Sequence, residues 1–353
     1  MAFGRVGALG AGFGRIGAGG ALHAPVGGGA LLLGEANGFA ADFTYATDTR
    51  RVAVKTAGAI VYSGTSFFTS SGTSSKWVYD INGTLVNIPV GTLPLDYDPV
   101  THAARGLVCE PAATNLLLNN ATLSTQSVTV TAAAHTLSIF GTGTVTLTGT
   151  STAGPLAGTG ANNRVSLTFT PTAGSLTLTV SGSVTKGQLE TGTVATSTIP
   201  TVGATVTRAA DRYNCTAASI GYSATAGSWW AELYLMKGTG NEDIIGLNNS
   251  GQPLFYNNTA FEMDQGGLLY KLVPSLINNV SKGISAYQSG DRAITGNGLA
   301  PSTDAGATSL LLSPASIWFG NTQANFAPML GYIRKVRYLP RRPTNVEMQA
   351  MST

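Results

Sequence analysis

Charge is what this chain has least of. Of 353 residues, 17 are Asp or Glu and 20 are Lys or Arg, leaving a formal net charge of +3. So small a surplus, with no basic stripe, excludes nucleic acid as an expected partner. The one basic cluster is Arg334, Lys335, Arg337, Arg341 and Arg342. It reads as a solvated face or subunit contact before it reads as a phosphate site. Three histidines, His23, His102 and His135, lie far apart, so no metal constellation is visible. Two cysteines, Cys109 and Cys215, exclude a disulfide scaffold and a four-cysteine zinc site. They bracket the central segment, and a bridge there would restrict the unfolded chain by about 4–5 kcal/mol. A reducing assembly compartment argues against that bridge. Long apolar runs are missing too. Residues 1–33 are apolar, but glycine dominates and Arg5 and Arg15 interrupt them, whereas a membrane span needs about 20 continuous apolar residues. The chain reads as soluble and leaderless.

What is present is glycine, at 45 residues, and a 43% hydrophobic fraction accompanied by Thr, Ser and Asn. Disordered chains are richer in charge and poorer in apolar residues. This balance suits a β-rich protein of two or three domains with an uncharged, hydroxylic surface. The first 35 residues hold a decapeptide repeat, Phe3 to Gly12 and then Phe13 to Leu22. Each unit carries one aromatic, one arginine and one β-branched residue spaced by glycine. Such a segment cannot build a core of its own, because glycine loses much backbone entropy and offers nothing to pack. It can lie along another protein, with Phe3, Arg5, Val6, Phe13, Arg15 and Ile16 as its contacts. Gly12 to Gly17 matches G-x-G-x-x-G, but no strand precedes it, no helix follows and the match sits inside the repeat. A dinucleotide site needs all of that context.

Three β segments follow the arm. Over 36–113, Phe39–Tyr45, Arg51–Val54 and Ala59–Tyr62 read as strands, and Asn82-Gly83 closes a hairpin that begins at Lys76. Over 114–212, the runs 128–131, 135–140, 144–148, 165–170 and 176–180 alternate apolar residues with Thr or Ser at the turn spacing of a sandwich. Aromatic platforms are what sugars usually require, and Phe140 and Phe169 are the only aromatics there. Aromatics concentrate over 213–353, with strands expected at Ser228–Met236, Ile244–Leu247, Leu254–Tyr256, Leu268–Val273, Ile284–Tyr287, Ser316–Phe319 and Gly331–Tyr338. A short helix closes the chain over Pro343–Met351, capped by Thr344 or Asn345. Tyr256 and Phe326, next to asparagines in loop contexts, are the exposed aromatic candidates for ligand contact. Asn241-Glu242-Asp243 and Asp264-Gln265 offer oxygen ligands for calcium, on spacing alone; no other cofactor is indicated.

Leu95 to Asn115 joins two of these segments and gathers Asp96, Asp98, Arg105 and Glu110 within fifteen residues. Asp-Pro and Arg-Gly are turn formers. The cluster reads as a structural junction in which Arg105 pairs with Asp96, Asp98 or Glu110, ahead of a carboxylate site. Leu95-Asp96-Tyr97-Asp98-Pro99-Val100-Thr101, Arg105-Gly106-Leu107, Glu110 and Thr114-Asn115-Leu116-Leu117 resemble a unit of bacteriophage and gene-transfer-agent virion proteins, namely head spikes, fibres and some tail proteins. Leu95 departs from it where an aromatic is common. Gln188-Leu189-Glu190 and Arg208-Ala209-Ala210-Asp211 resemble the close of carbohydrate-binding-module-like jelly rolls in phage fibres. The order of strands after Trp229 resembles concanavalin-like or laminin-G-like sandwiches.

The resemblance implies an all-β chain: an anchoring arm (1–35), a small β unit and junction (36–113), a jelly-roll-like sandwich (114–212) and a concanavalin/laminin-G-like sandwich (213–353). It implies a virion fibre or spike subunit, assembled in the host cytoplasm, self-associating as a trimer and attaching to host-surface polysaccharide. Head or tail placement stays open. A decoration or collar protein without ligand is the alternative. A depolymerase is another, which would need two carboxylates about 5–10 Å apart; Glu232, Glu242, Asp243 and Glu262 are its candidates in the last segment. Removing residues 1–35 is expected to abolish incorporation into particles while leaving a folded oligomer. Normal incorporation, read by particle purification and immunoblot, would end the anchor reading.

Overall fold

The computed structural model describes residues 26–236, 241–247, 252–257, 259–264, 268–273, 276–305, 313–325 and 327–353. Phe3, Arg5, Phe13, Arg15, Gln265 and Phe326 lie outside them, as does the calcium candidate Asn241 at the level of its side chain. The chain is all-β, built from antiparallel sheets that form two sandwiches. No described helix is long and apolar enough to cross a membrane.

The larger sandwich is made by both ends of the described chain. Its first sheet runs Ser302–Asp304, Asp291–Gly296, Val280–Gln288, Ala226–Leu235, Gly331–Leu339, Gly38–Asp42, Val52–Thr56 and Ala59–Ser63. Strand Gly331–Leu339 divides its free edge. Arg337 and Tyr338 pair with Ala40 and Phe39, while Tyr332 and Ile333 pair with Val108 and Leu107. The second sheet runs Leu268–Leu272, Ala260–Asp264, Gln252–Asn257, Asn241–Gly246, Ser316–Phe319, Tyr213–Thr216 and Thr69–Ser70. One core lies between the sheets and includes Phe39, Phe43, Leu107, Tyr213, Trp229, Phe319 and Tyr338. Within it Trp229 and Tyr338 have ring centroids 4.6 Å apart, and Phe68 meets Phe319 edge-on at 5.3 Å. Burying rings of this size dominates the energetics of such a core.

The smaller sandwich, between residues 114 and 208, is inserted into the larger one. A four-stranded sheet (Gln126–Val130, Gly174–Ser181, Thr144–Gly149, Leu156–Ala157) faces a three-stranded one (Gly160–Phe169, His135–Gly141, Val184–Thr191). Alternation does here what the sequence says it should. Leu137, Ile139, Val145, Leu147, Leu176, Leu178 and Leu189 point into a separate core. Ala113–Asn115 pairs with Val206–Arg208, so a two-stranded neck closes the insertion where the chain enters and leaves it.

Two expectations change at this level. Residues 36–113 do not form a unit of their own, because their strands, the Lys76 hairpin apart, join the two sheets of the larger sandwich. Gly38–Asp42 shows why: its first four residues are buried, and it lies between Val52–Thr56 and the C-terminal strand Gly331–Leu339 in one sheet. Arg105-Gly106 is not a turn but part of strand Ala104–Cys109, with Gly106 at φ +122° beside a register shift. There a Cβ would meet the Ile333 carbonyl oxygen at 2.6 Å. Cys109 and Cys215 are buried in the same core and unbridged.

The expected elements otherwise lie where periodicity puts them. The Lys76 hairpin pairs Lys76–Tyr79 with Leu85–Ile88, and Gly83 takes φ +72° in its turn. The closing helix, Asn345–Met351, starts at Thr344 with a reciprocal cap to Glu347.

The arm is shorter than its composition indicates. Gly27–Leu32 is a 3-10 helix whose glycines are buried, and a Cβ on Gly28 would lie 2.8 Å from the Ala40 carbonyl oxygen. Leu32 packs with Ala40, Ala53 and Leu339. Glu35 accepts from Arg337 at 2.6 Å and from Arg341 at 2.8 Å. A deletion of residues 1–35 therefore removes core as well as arm. Leu32→Ala in the full chain is expected to cost about 2–5 kcal/mol. A calorimetric midpoint unchanged by Leu32→Ala would refute the packing role.

Candidate functional site

A cleft of about 480 Å³ opens where the inserted sandwich meets the larger one. Four parts of the chain wall it. The Lys76 hairpin contributes Trp77 and Tyr79, and the junction contributes Asp96, Asp98 and Arg105. Phe140, Asn162, Asn163, Arg164 and the run 193–198 come from the insertion, and Tyr234, Met236, Asn278 and Tyr332 from the larger sandwich.

The junction sets one wall. Leu95–Tyr97 pairs with Ala104–Cys109, and the tight loop between them is tied by Asp98, whose Oδ1 accepts from the backbone N–H of Val100 at 2.9 Å and Thr101 at 2.8 Å. Those backbone donors, with Arg105, hold the Asp98 carboxyl down at about 2. Arg105 forks across both aspartates, reaching Asp96 Oδ2 and Asp98 Oδ2 at 3.0 Å each. Asp96 is further satisfied by the Tyr79 N–H at 2.8 Å and the Tyr332 hydroxyl at 3.0 Å. Burial nonetheless pushes its carboxyl up, against the pull of Arg105.

Glu110 does not join Arg105. It faces the neck, where its Oε2 lies 2.8 Å from Lys76 Nζ and 3.1 Å from Arg208 Nη1. Asp211 completes the group, paired with Lys76 and accepting from the Glu110 N–H at 2.8 Å. Glu110 also takes the N–H and hydroxyl of Ser197, both at 2.7 Å, which pins the run 193–198 over the cleft. All four charged side chains are buried or nearly so. Burial by itself would raise the Glu110 carboxyl, but the two cations outweigh it and hold it at about 2.

The insertion presents an unusual face here. On the three-stranded sheet the residues pointing away from the core are Thr136, Ser138 and Phe140, then Gln188 and Glu190, and all five are buried. Gln188 and Glu190 hold the returning chain. Gln188 Oε1 accepts from the Ile199 N–H at 2.7 Å, and Glu190 accepts from the Thr196 N–H at 2.9 Å and its hydroxyl at 2.5 Å. Arg164 donates to the Thr196 carbonyl at 2.5 Å and to Ser138 Oγ at 2.7 Å.

The other sequence candidates fall elsewhere. Tyr256 is fully buried in the large core, on strand Gln252–Asn257, and cannot serve as an exposed platform. Its neighbour Asn257 continues the strand, which is why loop composition misleads there. Phe326 and the four arm residues lie outside the described residues. Glu242 accepts from the Leu330 N–H at 3.2 Å, and Asp243 is fully buried with its carboxyl raised to about 7 by desolvation. Glu232 binds Arg334 at 3.0 Å. No group of three His, Cys, Asp or Glu side chains that could hold a metal occurs among the described residues. The basic cluster is neutralised internally: Arg334 and Lys335 face Glu232, Arg337 and Arg341 share Glu35, and Arg342 meets Asp291.

Sequence reasoning missed Trp77, Tyr79, Asn162, Asn163, Arg164, Tyr234 and Tyr332 as one site. The usable signal was Arg164 itself, the one arginine amid the threonine-rich strands of the insertion's core segment.

No protein-family model and no curated protein matches the chain. Among solved structures, the Ruminococcus gnavus IT-sialidase CBM40 bound to alpha2,3 sialyllactose is 12% identical, covering 36% of this chain and 82% of that one, with a TM-score of 0.32. The NanB sialidase from Streptococcus pneumoniae is 10% identical over 39% of this chain and 26% of its own, at 0.33. A structure described as a receptor binding domain is 16% identical over 41% and 40%, at 0.32. Likeness this distant carries no argument about what this chain binds.

The neck yields a pH prediction. Glu110 sits below its ordinary value of 4.5, so its contribution is complete above pH 4.5 and is lost as pH falls toward about 2. Glu110→Gln is expected to cost about 3–5 kcal/mol at neutral pH, since it strands buried cations. The variant should also show a flatter stability profile between those pH values. Denaturant melts across the window that superimpose for the two chains would disprove the assignment.

Proposed function

We propose that this chain is a virion fibre or spike subunit that attaches to a host-surface saccharide in the interdomain cleft and does not transform it. The carrying observation is the cleft's composition. Partly buried Trp77, Tyr234 and Tyr332 offer apolar ring faces, and the exposed amides of Asn162, Asn163 and Asn278 offer paired donors and acceptors. A pyranose presents the matching surface, with C–H faces for the rings and hydroxyls for the amides. The insertion brings only Phe140 to the cleft, and the other rings are supplied by the hairpin and the larger sandwich. The virion assignment is supported by the Leu95–Leu117 motif and by the glycine-spaced repeat over residues 3–22. A closed cyclic assembly, most simply a trimer, suits the sparsely charged surface.

One observation favours the depolymerase alternative. Asp96 is pushed up and neighbouring Asp98 is held at about 2, the kind of split that separates an acid from a base. Against it, Arg105 holds both carboxylates at 3.0 Å, and Asp96 is buried with its oxygens already taken by Tyr79, Arg105 and Tyr332. Asp96 is thus enclosed by its partners, and Asp98 is held as a carboxylate by Arg105 and two backbone N–H groups.

The full chain, sized by light scattering, should bind a subset of polysaccharides on a glycan array and release no reducing ends from them. Trp77→Ala should weaken that binding by about tenfold or more. Reducing ends released by the parent chain but not by Asp96→Asn would replace attachment with hydrolysis. Silence on the array would favour a decoration role.

A further inference from the structure

The row of side chains at the insertion's edge of the cleft is distinctive. Arg164, Phe140 and Lys186 stand on three adjacent strands, with His135–Gly141 in the middle. The Arg164 guanidinium carbon lies 5.9 Å from the Phe140 ring centroid. Lys186 Nζ lies 4.8 Å from the same centroid and 5.9 Å from that of Tyr79. Phe140, Tyr79 and Arg164 line the cleft, and Lys186 stands beside the lining, against the rings of Phe140 and Tyr79. Lys186 also has φ +49°, a left-handed backbone that lysine rarely adopts and that the surroundings must enforce.

The charges of the cleft are not equally committed. Asp96 and Asp98 share Arg105, and Glu110 is consumed by Lys76, Arg208 and Ser197. Arg105 spends both terminal nitrogens on those aspartates. Arg164 has no carboxylate within ion-pair distance among the described residues; its hydrogen bonds go to neutral oxygens, and its buried Nε has no partner. Glu190 and Glu110 act on it only through space, each already engaged by other donors. Lys186 has no ion pair or hydrogen bond among the described residues and is balanced by ring faces alone. Partial burial lowers its ammonium from the usual range, as befits a cation without a counter-ion. The uncommitted charge at the cleft is positive.

We propose that the saccharide taken by this cleft is acidic, bearing a carboxylate or sulfate group that seats beside Phe140 between Arg164 and Lys186. This rests on the cleft being the saccharide site. A planar or tetrahedral oxyanion on a pyranose would give each cation the partner it lacks. The amides and the Trp77 ring remain for the sugar's neutral part, so charge selects the residue bound and the rings supply area.

The test titrates the full-length chain with three oligosaccharides of equal length, one neutral, one containing uronate and one sulfated, at low and high salt. At least one acidic probe should bind about tenfold tighter than the neutral one at low salt and lose that advantage as salt rises. Lys186→Gln should remove most of the advantage while leaving neutral binding unchanged. Arg164→Lys, which keeps the charge but loses the fork, should weaken acidic binding without unfolding the chain. Trp77→Ala should weaken all probes together. A neutral probe that binds as well as the acidic ones, unmoved by Lys186→Gln, overturns the acidic assignment and leaves the cleft in place. Binding indifferent to Trp77→Ala overturns the cleft itself. A preference for uronate over sulfate, or the reverse, supports the proposal and fixes the anion.

Discussion

The arrangement of the two sandwiches depends on four charged side chains at the neck. Lys76 arrives from the hairpin, Glu110 from the last turn before the insertion, and Arg208 and Asp211 from its exit. Desolvating such groups costs several kcal/mol each, and mutual attraction offsets this only when the geometry is good and the remaining donors are satisfied. Here two acids meet two bases, and Ser197, the Glu110 N–H and the Pro111 carbonyl take up further positions. A hydrophobic plug could hold the neck as strongly. It would not fix the angle at which the insertion leaves, because apolar contacts are non-directional. The ionic group is directional, and through Ser197 it also fastens the run that forms the cleft's roof.

That constraint explains how a site can exist on a chain so short of charge. The cleft is built at a seam, from a hairpin, a strand pair, an insertion and a C-terminal strand. None of these carries a recognisable site alone. The three-stranded sheet turns a buried polar face toward the seam, where Gln188 and Glu190 bind the returning chain and Ser138 accepts from Arg164. The four-stranded sheet keeps its threonines outward, pairing Ser127 with Thr177 across strands at 2.8 Å. One alternating pattern thus serves two purposes, and the difference lies in which face the neck covers.

This also marks where sequence reading succeeds and where it stops. Period-two alternation is local, so the strands around Leu137, Leu147 and Leu178 are legible, as are the Asn82-Gly83 turn and the Thr344 cap. The Arg105 pairing with Asp96 and Asp98 is legible for the same reason, since the partners are separated by one tight loop. Long-range pairing is not. Nothing around Phe39 announces that its strand lies beside Tyr338, so the first segment looks independent when it is half of a shared sheet. Glu110 misleads in the same way: its partners Lys76 and Arg208 lie 34 and 98 residues away in sequence, although Arg105 is near at hand. Tyr256 fails because neighbouring asparagines suggest a loop, whereas burial of its ring in the large core decides its surroundings.

Scarcity of charge then becomes informative in its own right. In a chain with many ions, an arginine without a carboxylate would be unremarked, because mobile neighbours could neutralise it. Here nearly every buried ion has been given a partner, from the Glu35 pair of arginines to the Arg292–Asp304 contact. Arg164 and Lys186 stand out against that background, since Arg164 lines the cleft and Lys186 lies against two of its rings, Phe140 and Tyr79. A solely structural role would be met as well by a neutral side chain at lower desolvation cost. Two cations left without carboxylates, on either side of one ring, are the arrangement expected where the missing charge arrives with a ligand.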